Sequence, residues 1–341
     1  MGINVVTYLI CIFKNGAKRK SVGQCGEGER RRGMRFFDFF SGIGGFRLGM
    51  EMAGHECVGH CEIDKYANMS YAAMHKPKES EVFFDDIRTV DPSDMPECEC
   101  YCGGFPCQSF SIAGKRGGFK DTRGTLFFEI MRLAKARKPE YIFLENVRGL
   151  LNHDGGVTFE TIIRTMVQLG YGVEWQVLDS KHFCVPQHRE RVFIVGHLGG
   201  ICGRAIFPIV ADGETACVAQ RHENNRNYGG IIQIAKLNVK NRDNPQSYRV
   251  YDAKGVCPTL NCMEGGGLEP HIIIKPKNKT NSSCIDDYRI RKLTPKECFR
   301  CQGFPDEYFE RAAEVCSNRQ LYKQAGNSVT VNVIYEIAKK L

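Results

Sequence analysis

The sequence has 341 residues, of which 42% are hydrophobic and 25% are charged. This composition is that of an ordinary globular protein, and the length predicts roughly two domains of about 150 residues each. No apolar run reaches the ~18 residues that a membrane span requires, and 17 cysteines without a secretory signal predict a reducing, intracellular setting.

The first 33 residues differ from the sequence that follows them. They hold seven basic residues against two acidic ones, and the apolar stretch from Val5 to Phe13 precedes the charges. This order, without a small-residue cleavage site, is a poor match to a signal peptide. We therefore predict that residues 1–33 are an extension and that Met34 is the functional start.

From Met34 the sequence alternates between strand and helix patterns, which predicts an α/β fold with a doubly wound sheet. A glycine-rich turn and a helix ending at Ala53 follow the first strand. A second helix, with apolar residues at helical spacing from Leu126 to Ala134, stops before Pro139. The predicted strands are Arg35–Phe39, Cys57–Gly59, a short one before Cys107, Tyr141–Leu144 and Val192–Val195, and a closing helix spans Val329–Ile337.

Residues 200–285 change in character, because helical periodicity fades while Gly, Asn and Pro become more frequent. The net charge of the chain is +8, and this segment holds eleven basic residues against seven acidic ones. A basic, β-rich module is compatible with phosphate binding, although such segments are also common as solvated surface. We predict a catalytic domain at 34–199, an inserted module at 200–285 and a return segment at 286–341.

Two groups of cysteines have regular spacing. Cys98, Cys100 and Cys102 alternate, as small residues on one face of a strand do. Cys298 and Cys301 form a CxxC pair without a second pair, so a zinc site is the less favoured interpretation of either group.

A glycine-rich loop and two acidic residues predict a nucleotide-like cofactor. The loop Phe40-Ser41-Gly42-Ile43-Gly44-Gly45 follows a strand and precedes a helix, and Arg47 occupies the place of the third glycine of a dinucleotide motif. Glu62 follows the second strand and is suited to ribose hydroxyls, and Asp86 follows the third. Together these elements indicate an adenosyl cofactor without a pyrophosphate, although each alone is also explained by loop structure or a helix cap.

Three further segments carry reactive side chains. Cys107 lies in the turn Gly-Gly-Phe-Pro-Cys-Gln-Ser, followed by a glycine-containing stretch from Ser111 to Arg123 that is typical of a lid. Glu145 follows an apolar strand, where a carboxylate must be paired or protonated, which favours an acid role. Arg189 and Arg191 would share one face if extended and would bind a carboxylate and a phosphate, or form ordinary salt bridges.

The order and spacing of these motifs resemble the cytosine-C5 DNA methyltransferase family from Phe36 to the C-terminus. The resemblance implies a Rossmann-like S-adenosylmethionine-dependent methyltransferase domain with a smaller, inserted β-rich target-recognition domain. The matching motifs are FDFFSGIGGFRLG, the acid in CEID, DDI, GGFPCQSFS, ENV, QHRERVFIVG, RKLTPKECFRCQGFP and QAGNSVTVNVI.

The resemblance also implies a role for each matching residue. Cys107 is the expected nucleophile at cytosine C6, Glu145 the group at cytosine N3, and Arg189 and Arg191 position the base and Glu145. The residues expected around S-adenosylmethionine are Phe40, Gly42, Gly44, Gly45, Glu62, Ile63, Asp86, Ile87, Pro106, Leu126, Asn327 and Val329.

Double-stranded DNA is the implied substrate, with one cytosine flipped out of the helix. The residues expected to contact DNA are Gln108, Ser111, Gln246, Arg249, Thr259 and Leu260. The last four lie in the stretch QSYRVYDAKGVCPTL, where Gln246 would fill the space left by the flipped base. An alternative is that these four are simply turn and strand residues of a β-rich module.

The resemblance favours a bacterial or phage enzyme that acts as a monomer in the cytoplasm, with or without a separate cognate restriction endonuclease. Three alternative functions are open. They are a tRNA cytosine methyltransferase of the same superfamily, an inactive DNA-binding relative, and a thiol hydrolase using Cys107 with His182 or His188. The last leaves the glycine-rich loop and the cofactor acids unexplained.

Overall fold

The computed structural model describes residues 33–106, 126–201, 205–209, 233–236, 249–252, 255–262, 269–274 and 289–341. Within these ranges the chain forms a seven-stranded sheet and a four-stranded sheet. None of the helices in the same ranges is both long and apolar enough to cross a membrane.

The seven-stranded sheet forms the centre of the molecule, with the strand order β3-β2-β1-β4-β5-β7-β6. Strands β1 to β5 are parallel to one another, whereas β7 runs antiparallel to both β5 and β6. The carboxyl ends of the parallel strands therefore meet at one edge. The strands are β1 (Arg35–Phe39), β2 (Glu56–Cys61), β3 (Val82–Phe84), β4 (Cys100–Gly104), β5 (Tyr141–Val147), β6 (Tyr171–Asp179) and β7 (Glu190–Leu198).

Helices cover both faces of this sheet, because the central strands are apolar on both sides. Phe37 of β1 points into one core with the helices α3 (Leu126–Arg137) and α4 (Val157–Gln168). Its neighbour Phe36 points into a second core with α1 (Gly45–Met52) and α8 (Val331–Ala338). Each fully buried phenylalanine contributes roughly 1.5–3 kcal/mol to folding, so β1 is a principal anchor of the fold.

The remaining helices form a third core beside the glycine-rich turn. Helix α2 (Lys65–His75) packs against α6 (Asp306–Val315), and α5 (Pro295–Cys301) packs against α7 (Asn318–Asn327). This core contains Ile43 of the glycine-rich turn together with Leu260. The segment after residue 289 is therefore in contact with elements from the start of the chain.

The four-stranded sheet lies after the seventh strand in the sequence. Its strands are β8 (Gln233–Lys236), β9 (Arg249–Asp252), β10 (His271–Ile274) and β11 (Arg289–Lys292), in the order β11-β10-β9-β8. Strands β9 and β10 are parallel, and β11 closes the sheet on β10 in antiparallel register. This sheet thus takes a strand from beyond residue 285, and Ile206, Phe207 and Ile209 pack into the second core of the main sheet. The proposed domain boundaries at 199 and 285 stay predictions.

The sequence-based element predictions agree with the structure at their centres and differ at their ends. The second strand extends over Glu56–Cys61, beyond the predicted Cys57–Gly59. Strand β5 continues through Glu145 to Val147, because β7 pairs with it along its whole length. The closing helix begins only at Val331, since Thr330 is its N-cap and has extended backbone angles.

The cysteine predictions were partly wrong. Cys100 and Cys102 lie on one face of β4 in the second core, as predicted. Cys98 precedes the strand and packs against the first core, so it does not share their face. Cys298 and Cys301 are buried in the third core with free thiols. Cys184 is the one described cysteine that is disulfide-bonded.

Candidate active site

The glycine-rich turn begins where β1 ends at the edge shared by the parallel strands. Phe40, Gly42 and Gly44 have φ values of 52°, 55° and 79°, so the turn takes left-handed backbone conformations that favour glycine. Gly44 is the N-cap of α1, which directs the first backbone N–H groups of this helix towards the turn. A Cβ on Gly42 would meet nothing within 4 Å, so this part of the turn borders open space.

Glu62 holds the turn from the end of β2. Its carboxylate accepts a hydrogen bond from the backbone N–H of Gly42 at 2.8 Å and another from that of Asp64 at 2.8 Å. Burial raises the pKa of the Glu62 carboxyl, with the two backbone hydrogen bonds acting against that rise. The hydroxyl of Ser41 is buried without a hydrogen-bond partner among the described residues, which leaves a polar atom for a ligand.

The other predicted cofactor residues after β2 and β3 differ in exposure. The side chain of Ile63 is 67% exposed, which is unusual for an isoleucine and suits contact with a flat ligand. Asp86 caps a short 3₁₀ turn and forms an ion pair with Arg88 at 2.6 Å, while Ile87 is buried beneath it. Leu126, at the start of α3, packs against the first core.

The return segment completes this edge from the other end of the chain. A Cβ on Gly45 would lie 2.8 Å from Cγ2 of Val329, so the first turn of α1 and the return segment touch at a position that only glycine fits. Val329 also lies beside Gly104 at the end of β4. Asn327, the last residue of α7, is exposed. The structure thus brings Val329 to the glycine-rich turn, as the sequence predicted.

Glu145 lies at the same edge, in β5 beside the end of β4. Its side chain is almost buried, with the residue 8% exposed, and Nε of Arg191 approaches its Oε1 to 3.0 Å. A Cβ on Gly104 would lie 3.0 Å from Oε2 of Glu145, so the glycine leaves room for the carboxylate. Asn146 donates from its side-chain amide to the carbonyl of Phe105 at 2.8 Å. This contact, which the sequence analysis did not identify, fixes the chain two residues before Cys107.

Arg189 directly precedes β7 and Arg191 lies within it, but the two side chains have different surroundings. Arg189 is only 3% exposed, and its guanidinium donates to three backbone carbonyls, those of Leu260, Gly326 and Ser328, at 3.1, 3.1 and 2.8 Å. Burial, together with the neighbouring charge of Arg191, lowers the pKa of Arg189 to about 9, so it stays protonated at neutral pH. Arg189 therefore joins three segments that are distant in sequence.

Two polar residues that the sequence analysis gave no role support residues 188–191, which we call the arginine segment. Asp179, at the end of β6, accepts from the backbone N–H of Arg189 at 3.0 Å and from Nδ1 of His188 at 2.5 Å. Gln187 is fully buried, donating to the carbonyl of Cys301 at 2.9 Å and accepting from the N–H of Leu260 at 3.1 Å. Gln187 is the first residue of the QHRER motif, so the sequence indicated its importance. No motif in the sequence indicated a role for Asp179.

The predicted DNA-contacting residues that the structure describes have protein contacts. Thr259 donates its hydroxyl to the carbonyl of His188 at 2.7 Å, and Leu260 is a core residue at 1% exposure. Arg249 begins β9 and forms a hydrogen bond with Tyr251. Pro106 is exposed and ends its described range. The predicted residues Cys107, Gln108, Ser111 and Gln246, like the extension at 1–32, lie outside the described residues.

Comparison with known proteins gives concordant results. A family model described as "C-5 cytosine-specific DNA methylase" matches residues 34–341. The type II methyltransferase M.HhaI of Haemophilus parahaemolyticus is 35% identical over 324 residues, covering 90% of this chain and 93% of that protein. The orphan methyltransferase M.SPBetaI of Bacillus phage SPbeta is 31% identical over 431 residues, covering 90% and 97%, respectively.

The fold has solved counterparts as well. The crystal structure of the S. pombe Dnmt2 methyltransferase superposes with a TM-score of 0.66, covering 89% of this chain and 97% of that chain. The two sequences are 21% identical, so this likeness concerns the fold. It agrees with a Rossmann-like methyltransferase architecture around the parallel strands described above.

Proposed function

The chain belongs to the C-5 cytosine-specific DNA methylase family and is a DNA (cytosine-5-)-methyltransferase, and we propose the following division of work among its residues. The observation that carries the proposal is the ion pair between Glu145 and Arg191, nearly buried where β4 and β5 end. Val329 and the glycine-rich turn lie at the same edge. A flipped cytosine and a methyl donor would meet there.

The cofactor in this proposal is S-adenosylmethionine, which supplies an electrophilic methyl group when bound. The glycine-rich turn and Glu62 fit such a group, because the turn borders open space and Ser41 offers an unpaired buried hydroxyl. The residues that would hold it are Phe40, Gly42, Gly44, Gly45, Glu62, Ile63, Asp86, Ile87, Pro106, Leu126, Asn327 and Val329.

Cys107 supplies the nucleophile, because C5 of cytosine alone is too weak to attack a methyl group. The thiolate of Cys107 forms a bond to C6, and the electron pair of the C5–C6 double bond becomes available at C5. With the cofactor bound, C5 would take its methyl group, and S-adenosylhomocysteine would be left. Loss of the C5 proton to a base and elimination of the thiolate restore the double bond and the free cysteine.

Glu145 assists the addition by hydrogen bonding or donating a proton at N3, where negative charge develops. Arg191 holds the Glu145 carboxyl in place through the 3.0 Å contact. Arg189, whose guanidinium is occupied by three carbonyls, acts by fixing the loops around the base. Asn146 sets the approach of the Cys107 turn through the carbonyl of Phe105.

The substrate in this proposal is a short target in double-stranded DNA, with the cytosine flipped out because a stacked base is inaccessible to Cys107. Gln108 and Ser111 would lie near the flipped nucleotide, and Gln246 would fill the space that the base leaves. Arg249 and Thr259 would contact DNA, while Leu260 anchors their loop in the core.

We further propose that the enzyme acts as a monomer in the cytoplasm of a bacterial or phage-infected cell. A single flipped base is an asymmetric substrate that needs one site. A cognate restriction endonuclease, if the cell has one, would act as a separate protein.

Methyl transfer from labelled S-adenosylmethionine to duplex DNA, with tRNA in parallel, tests the proposal. We expect label in DNA alone, and bisulfite sequencing should locate 5-methylcytosine at one short recurring sequence. Label in tRNA alone, or 5-methylcytosine scattered without a common sequence, would overturn the substrate assignment.

A further inference from the structure

A short stretch of chain lies between the arginine segment and the end of α7. We call residues 258–262 the strap. Thr259 donates its hydroxyl to the carbonyl of His188. The N–H of Leu260 donates to the side chain of Gln187, and the carbonyl of Leu260 accepts from Arg189. The strap is therefore held from one side by the arginine segment.

The other side of the strap touches the return segment at very short range. A Cβ on Gly326 would lie 1.9 Å from the carbonyl oxygen of Asn261, a distance that no side chain permits. The carbonyl of Gly326 also accepts a hydrogen bond from Arg189 at 3.1 Å. The backbone of the strap and the backbone at Gly326 are therefore held together at this point. A displacement of the strap must therefore also displace residues 326–328.

One side-chain contact extends this junction to a predicted cofactor residue. The thiol of Cys262 donates to Oδ1 of Asn327, with 2.8 Å between sulfur and oxygen. A side-chain amide has one acceptor oxygen and one donor nitrogen, and a donor at the oxygen determines which way the amide faces. With Oδ1 turned to Cys262, both N–H donors of Asn327 face away from the strap.

We propose that Cys262 is a positioning residue for the cofactor, which orients the Asn327 amide so that its N–H groups are available to the bound ligand. This inference rests on the proposed function, in which Asn327 contacts S-adenosylmethionine. The acceptors on that ligand include its carboxylate oxygens, its ribose oxygens and the ring nitrogens of its adenine. Without the thiol the Asn327 amide rotates freely. Ordering this amide on binding then costs free energy, which weakens the affinity for the ligand.

The placement of Cys262 has a second consequence. The strap also carries Thr259, a proposed DNA contact, so DNA that orders the strap also orders Asn327. Binding of cofactor and DNA is then linked, and the linkage is reciprocal, because each ligand must raise the affinity for the other by the same factor. Cys262 is one of the contacts that transmit this effect.

Isothermal titration of S-adenosylhomocysteine into the full chain tests the inference without any turnover. Cys262→Ala should bind about fivefold more weakly than the wild type, as expected for one lost neutral hydrogen bond. Cys262→Ser, which keeps a donor, should bind within about twofold of the wild type. Asn261→Ala is the matched control on the strap, since this exposed residue meets Gly326 through its backbone carbonyl, and it should leave this affinity unchanged.

The same titrations with the target duplex identified by bisulfite sequencing measure the linkage. The wild type should bind S-adenosylhomocysteine more tightly with DNA present, and Cys262→Ala should reduce that gain. Equal affinity of Cys262→Ala and wild type for S-adenosylhomocysteine alone would overturn the positioning role and leave the proposed function intact. A wild type that binds no S-adenosylhomocysteine would overturn both.

Discussion

The two sides of the active site are held by different forces. On one side, the glycine-rich turn follows β1 and Glu145 lies within β5. The side chains of these strands are buried on both faces of the sheet, among them Phe37 and Phe143. On the other, the arginine segment, the strap and residues 326–328 are joined largely by hydrogen bonds to backbone carbonyls. Changes at the sheet edge should therefore alter chemistry, and changes at the strap should alter stability and coupling.

Replacement at the sheet edge should give the largest effect. Glu145→Gln keeps the size of the side chain but removes its capacity to donate a proton at N3, and we expect the single-turnover rate to fall by about 10³-fold. Thermal unfolding should be nearly unchanged. Glu140→Gln, at the exposed start of the same chain segment, is the control. A rate within twofold of the wild type would remove Glu145 from its role.

The two arginines sharpen the contrast within a single motif. Arg189→Met leaves three buried carbonyls without their donor and should lower the free energy of unfolding by roughly 3 kcal/mol. Arg191→Met removes the ion-pair partner of Glu145, so it should lower the methylation rate and cost less stability than Arg189→Met, because one carboxylate rather than three carbonyls loses its donor. Denaturant titration and single-turnover assays of both variants separate these outcomes. Equal losses of stability would show that the two sides are not held differently.

A smaller effect is expected where the four-stranded sheet meets α5. Arg291 of β11 forms an ion pair with Glu297 of α5 at 2.7 Å and, with the hydrogen bonds of Thr294, lowers the pKa of Glu297 to about 2. Both side chains are partly exposed, so the pair contributes about 1 kcal/mol. Glu297→Gln should reduce stability by that amount at neutral pH.

The pH dependence of this difference follows from the direction of the shift. A carboxyl with a lowered pKa contributes its full stabilisation above its unfolded value of about 4.3, and the contribution disappears as the pH falls towards the folded value. The difference in unfolding free energy between wild type and Glu297→Gln should thus shrink from pH 4.3 to pH 2. A difference that is constant over this window would contradict the assigned pair.

The sequence predicted the sheet edge better than the strap, and the reason is physical. The apolar composition of runs such as Arg35–Phe39 and Tyr141–Leu144 predicts buried strands. The carboxyl ends of parallel strands meet at one edge of the sheet, so the residues near these ends come together. Arg189 and Arg191 were assigned a shared role because they stand two residues apart. Their distinct partners depend on tertiary contacts that no periodicity encodes.

The contacts of the strap were even harder to predict from the sequence than those of the two arginines. Asp179 and Cys262 are ordinary residues in the sequence, and their partners His188 and Asn327 are fixed only when separate segments meet. The position of Cys98 shows the same limit, because alternation predicted its face but the strand begins only at Cys100. Local patterns identify elements, whereas polar contacts between distant segments must be observed.

In the proposed mechanism, Cys107 attacks a cytosine held at this sheet edge. A duplex carrying 5-fluorocytosine at the target position tests it, since fluorine cannot leave C5 as the proton does and the enzyme should remain bonded to C6. Incubation with S-adenosylmethionine should give a protein–DNA adduct that survives denaturing electrophoresis, absent from Cys107→Ala. No adduct from the wild type, or an equal yield from Cys107→Ala, would contradict the account.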